Sequence, residues 1–241
     1  MNYCKILGLL LWALPMASSA YAKESNSIVQ NNIILHDHAH DRKIPIAIYR
    51  NKADTANNQL PVVMISHGYG VKNTEYSFIA NSLAEQGYHV ISIQHDLDGD
   101  PHLPRVGNLY QLRMPFWERG VQSLNFVIDN MSENHPALDM SKVILIGHSN
   151  GGDISMMFAE KYPCKVKKVI SLDSLRYPFP TSCNILSLRA NDTSADSGVL
   201  AKHPNAKIIQ MSHAKHIDMY DAGPGDVKAK IIDHINDFLQ A

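Results

Sequence analysis

The segment Gly147-His148-Ser149-Asn150-Gly151-Gly152 follows the apolar run 143–146 and precedes a stretch with helical spacing. A G-x-S-x-G set between a strand and a helix is the arrangement that lifts a serine hydroxyl out of a sheet on a strained turn. The flanking glycines let neighbouring backbone approach without a Cβ clash, and the helix N-terminus places a positive dipole where anionic charge would develop. Ser149 is therefore the candidate nucleophile for attack on an acyl carbonyl. A second turn agrees with it: the apolar run 61–66 ends in His67-Gly68-Tyr69-Gly70. There the backbone N–H of Tyr69 can join that of Asn150 as an oxyanion hole.

Such a serine needs a base, and in this kind of fold the chain order is serine, acid, histidine. His213 and His216 both follow the last apolar run, which ends at Met211. His216 has the loop length to swing back over the sheet, whereas His213 stands almost on the strand end, so His216 is the candidate base. The acid is open on these grounds. Asp173 follows the run 166–172 directly, Asp192 follows the run 185–188 after a short turn, and Asp196 is a more distant third. Either strand end could deliver a carboxylate to fix the imidazole tautomer, and geometry leans toward the later loop.

The elements that must carry these residues read clearly. Two runs, 28–35 and 44–49, flank the polar HDHAHDRK and predict a β-hairpin. Beyond it strands are predicted at 61–66, 88–93, 143–146, 166–172, 185–188 and 206–211, and helices at 75–85, 116–131, 154–162 and 227–239. Alternating strands and helices predict an α/β fold, a mostly parallel central sheet with helices on both faces and chemistry at the carboxyl ends of the strands. Only residues 173–183 separate two of the strands, which leaves no room for a large lid domain.

Quoted in order, Ser66-His67-Gly68-Tyr69-Gly70, the segment 87–96 (GYHVISIQHD), Gly147 to Gly152, Leu172-Asp173 and the segment 216–221 (HIDMYD) resemble the platelet-activating-factor acetylhydrolase group and its dienelactone-hydrolase-like relatives. The resemblance runs from about Pro61 to Asp221 and implies the α/β-hydrolase fold and a serine esterase. In acetylhydrolases the triad acid is the aspartate of the L-D pair, which falls on Asp173. In dienelactone-type enzymes it lies after the next strand, on Asp192. The resemblance thus implies Asp173, with Asp192 as runner-up.

The whole chain sets the remaining bounds. At 241 residues, with 45% hydrophobic and 19% charged residues, it suits a single globular domain. A net charge of -1 gives no electrostatic reason to expect nucleic acid as a partner. Lys5, the apolar run 6–16 and Ala20-Tyr21-Ala22 read as a signal peptide cleaved after Ala22, which leaves residues 23–241 as the mature domain, secreted or periplasmic. In an oxidising compartment Cys164 and Cys183, each two residues ahead of a strand, are expected to pair as a disulfide.

Two metal-like motifs do not carry through. His36 to Asp41 (HDHAHD) has the wrong order for a binuclear metal site and lies in a hairpin turn. Asp96 to Asp100 (DLDGD) has Gly107 where a calcium loop needs a bidentate glutamate. No metal or cofactor is expected. The function expected is hydrolysis of small or lipid-like carboxylic esters. Peptidase, thioesterase or acyltransferase chemistry on the same residues is the alternative, and a non-catalytic binding protein on the same fold is the alternative of another class.

Overall fold

The computed structural model describes residues 28–53, 59–201 and 203–241. The signal-peptide segment 1–22 lies outside the described residues. Strands β1 (Ile28–Asp37) and β2 (Arg42–Asn51) form the expected hairpin, paired antiparallel with Ile28 opposite Asn51 and Asp37 opposite Arg42. The following elements are β3 (Leu60–Ser66), α1 (Ser77–Glu85), β4 (His89–Ile93), α2 (Leu109–Asn134), β5 (Leu138–His148), α3 (Asn150–Lys161), β6 (Val166–Leu172), β7 (Asn184–Arg189), β8 (Ala206–Gln210) and α4 (Gly225–Gln240). They build one sheet of eight strands in the order β1-β2-β4-β3-β5-β6-β7-β8, parallel from β4 onward.

The unbroken apolar character of the inner strands has its cause in two-sided burial. Val62, Met64, Val143, Leu145 and Val169 point to the face covered by α2 and α3, where Trp117, Leu124, Ile154 and Phe158 meet them. Val63, Ile65, Ile144, Ile146 and Ile170 point the other way, onto α1 and α4 through Ile79, Leu83, Ile231 and Ile235. The helices on both faces and the short β6–β7 connection are as the sequence predicts. Among the described residues no helix is long and apolar enough to cross a membrane.

Four expectations are corrected, two of them bounds: strand β5 begins at Leu138 rather than at 143, and helix α3 begins at Asn150 rather than at 154. Helix α2 begins at Leu109, seven residues ahead of the predicted start, and carries Pro115 inside it. Asn108 accounts for the early start, because its side chain accepts the Gln111 N–H at 3.3 Å and satisfies a free amide of the first turn. The expected disulfide is absent: Cys164 and Cys183 are both free thiols. In the β6–β7 register Lys168 faces Asn184, so Cys183 is level with Lys167 rather than with Cys164. Cys164 is exposed in the 3-10 turn Pro163–Lys165, while Cys183 is buried in the core beneath β7.

Candidate active site

The carboxyl ends of β3, β5 and β6 are adjacent, and each delivers one part of the site. Strand β5 ends at His148, and Ser149 follows with φ 52° and ψ -119° before α3 begins. This positive φ is strained for a side chain and costs on the order of 1–3 kcal/mol. The turn is held from both sides. Its amide donates to Leu172 O of β6 at 2.9 Å, and its carbonyl accepts from Gly152 and Asp153. The two motif glycines are steric requirements. A Cβ on Gly147 would lie 2.3 Å from Gly151 O, and one on Gly151 would lie 2.2 Å from Ser66 O.

Asp173 repeats the same device one strand over. It sits at φ 54° past the end of β6, its amide tied to Leu188 O at 2.9 Å. One carboxylate oxygen accepts from His216 Nδ1 at 2.6 Å and from Thr193 Oγ1 at 2.5 Å. The other pairs with Arg189 at 2.9 Å and accepts the Ala190 N–H at 3.1 Å. Burial alone would raise this carboxyl. The bonds from His216 and Thr193, with the Arg189 charge, outweigh burial and hold it below the ordinary carboxylate range.

Of the other aspartates, Asp192 reaches His216 differently, its carboxylate accepting the His216 backbone N–H at 2.7 Å. Asp196 stands 3.9 Å from Arg176. His213 is exposed beside the start of α4, while His216 opens a 3-10 turn and is half-buried.

Among the described residues the backbone amides of Tyr69 and Asn150 donate to no protein acceptor, unlike the Gly68 amide, which is bound to Tyr76. Two free N–H groups beside a serine on a strained turn form the arrangement that receives an oxyanion. The Asn150 side chain is fixed by Trp117 Nε1 at 2.9 Å. The loop carrying Tyr69 rests on a buried pair. His67 Nε2 accepts the His95 N–H at 2.7 Å, and its Nδ1–H donates to Gly68 O at 2.8 Å, which fixes it in one neutral tautomer. Burial lowers both imidazoles from their ordinary value.

Several site residues carry no motif and go unnoticed in the sequence: Tyr76, Arg189, Thr193 and Trp117; His148 stands at the variable position of the serine motif, where the motif assigns it no role. Asp221 is quoted only for the resemblance. Its carboxylate accepts from the Ser77 and Phe78 amides at 3.0 and 3.1 Å, so the segment after His216 caps α1. The hairpin turn and the 96–100 loop take ordinary roles. His40 bonds Asp37 at 2.7 Å, and Asp100 is taken up by Arg42 at 2.7 Å and Arg119 at 3.3 Å. Asp96 borders the site by accepting the Gly70 N–H at 3.3 Å.

A hydrolase family described as serine aminopeptidase S33 matches residues 57–177, half of the chain. Three solved structures are similar in fold. A ferulic acid esterase from Streptomyces cinnamoneus shares 15% identity at a TM-score of 0.64, over 84% of this chain and 78% of its own. A dienelactone hydrolase-like promiscuous phosphotriesterase from metagenomic libraries shares 14% at 0.67, over 88% and 98%. A putative dienelactone hydrolase from Klebsiella pneumoniae shares 18% at 0.62, over 89% and 98%.

Proposed function

The chain belongs to the serine aminopeptidase S33 family of α/β-hydrolases, and from that premise we propose that it cleaves carboxylic esters through an acyl-enzyme on Ser149. The observation that carries this reading is the 2.6 Å bond between His216 Nδ1 and the buried Asp173 carboxylate, formed beside a serine on a strained turn. With Nδ1–H given to Asp173, the His216 Nε2 lone pair is left to take the Ser149 proton as Oγ attacks the carbonyl. The Tyr69 and Asn150 amides receive the oxyanion. His216 returns the proton to the leaving alcohol, and water then repeats the sequence to free the acid.

The substrate class follows from what surrounds the site. The connection between β6 and β7 is short, residues 173–183, and carries no inserted lid, which suits small or projecting esters. Ile217, the residue after His216, is exposed, which supports an apolar portion on the ester. Export after Ala22 belongs to the same proposal, and amino-terminal sequencing of the protein recovered outside the cytoplasm tests it.

The deciding experiment is hydrolysis of p-nitrophenyl esters from acetate to palmitate, beside amino-acid p-nitroanilides, by the mature protein and by Ser149→Ala. Ester turnover that the substitution abolishes is the expected result. Turnover of the anilides alone would replace esterase by peptidase, and no turnover by folded protein would overturn both.

A further inference from the structure

His148 occupies the variable position of G-x-S-x-G, immediately before Ser149, and every polar atom of its ring is engaged. Tyr76 O accepts the Gly68 N–H at 2.9 Å and lies 2.8 Å from His148 Nδ1. On the other side of the ring, His148 Nε2 lies 3.0 Å from the backbone carbonyl of His216. The partners decide the protons. A carbonyl only accepts, so Nε2 carries hydrogen. The Tyr76 hydroxyl, already an acceptor for Gly68, gives its own hydrogen to Nδ1. The ring is buried at 4% exposure and tilted against the His216 ring at 4.8 Å between centroids. It also fills the space a side chain at position 68 would need, since a Cβ there would lie 2.8 Å from His148 Nδ1.

One imidazole therefore ties three segments distant in sequence to the nucleophile turn: the loop that offers the Tyr69 amide, the start of α1, and the backbone of His216. We infer that His148 is a positioning residue that sets the His216 ring and the oxyanion loop in register with Ser149. The His216 backbone is then held at both ends, its N–H by Asp192 and its carbonyl by His148, while Asp173 holds its ring. The inference rests on the proposed serine-hydrolase function. Burial, followed by the neighbouring His216, lowers His148 to about 3, so the two-bond arrangement is intact throughout neutral pH.

The two links separate chemically. Asparagine places its carbonyl oxygen where Nδ1 stands and keeps the Tyr76 bond, whereas glutamine reaches the Nε2 position and keeps the His216 bond. Tyr76→Phe removes a single oxygen and leaves the packing. The measurement is the rate at which a fluorophosphonate probe labels Ser149, together with kcat and KM on the best ester and the melting temperature. Serine Oγ displaces fluoride in that reaction, so the rate reports the site whatever the natural substrate. His148→Asn, His148→Gln and Tyr76→Phe are each expected to label about 10- to 100-fold more slowly and to lose kcat with little change in KM. Combining Tyr76→Phe with His148→Gln is expected to add little to Tyr76→Phe alone, because the Tyr76–His148 bond that His148→Gln breaks is already gone. Labelling at the wild-type rate in all three would overturn the inference, as would losses in step with melting temperature. A wild-type protein that the probe does not label would instead overturn the serine-hydrolase reading itself.

Discussion

At the residue scale the two aspartates near His216 have different tasks, and substitution separates them. Asp173→Asn takes the acceptor charge from the His216 ring, and activity on the best ester is expected to fall about 10³- to 10⁴-fold. The same change leaves the buried Arg189 without its partner, so chemical denaturation should show a loss of about 3 kcal/mol. Asp192→Ala removes one bond to backbone and is expected to cost only about tenfold in kcat, with stability nearly unchanged. Equal losses from the two would mean that the ring bond seen here is not the one used. Spacing alone could not separate these roles, and only the resemblance pointed to Asp173. Both residues follow a strand end, and the choice turns on a positive φ at Asp173 and on Thr193 and Arg189, which no spacing rule reveals. Ser149 and the His67 loop were legible because glycine spacing next to an apolar run reflects a backbone constraint. Tyr76 and His148 were not, because a network of single side chains leaves no period.

Among the elements, strand β6 falls at its predicted bounds and α1, β3, β4 and α4 within two residues of theirs, since their apolar patterns are two-sided or amphipathic. The errors lie where a local rule met a tertiary one. The helix expected from 116 starts earlier and runs through Pro115, because Asn108 caps it at Leu109. Strand β5 extends back to Leu138 because Leu60 pairs with it there, a contact invisible in a polar DMSK stretch. The β5–α3 junction is sensitive to substitution. Gly151→Ala drives a methyl group into the Ser66 and His67 carbonyls, so backbone has to move. A fall in stability of about 1–3 kcal/mol with near-total loss of esterase activity is expected, read by thermal melting and ester turnover. A soluble, active Gly151→Ala would show that the turn tolerates rearrangement.

For the whole molecule, the buried histidines set the acid limit. Burial, with His135 and Arg50 behind it, lowers His89 to about 4, and burial with His216 lowers His148 to about 3. His67 and His95 are lowered as well. Below the unfolded value of about 6.5 the unfolded chain binds protons that the folded one refuses, so stability falls as pH drops from about 6.5 toward 4. Asp153 acts in the opposite sense. Burial raises it to about 6, so between that value and about 4 the folded chain binds the extra proton and gains. Several histidines against one aspartate leave a net acid loss of about 1.4 kcal/mol per pH unit for each uncompensated proton, measurable by urea titration from pH 7 to 4.5. A flat profile would contradict the burial of these rings. The thiols give a separate check: Cys164 should react with a thiol reagent in the native protein, and Cys183 only after unfolding.

The strand order has one more effect, on the time the molecule needs to form. Only β1 and β2 are neighbours joined by a tight turn; β3 must wait for β5, some eighty residues later, before the central pair can close. A sheet assembled from such remote partners folds slowly, on a scale of milliseconds to seconds or longer, because loop closure comes before any pairing can compensate for it. The hairpin can form while the chain is still incomplete. The serine turn cannot, since its amide has no acceptor until β6 is in place.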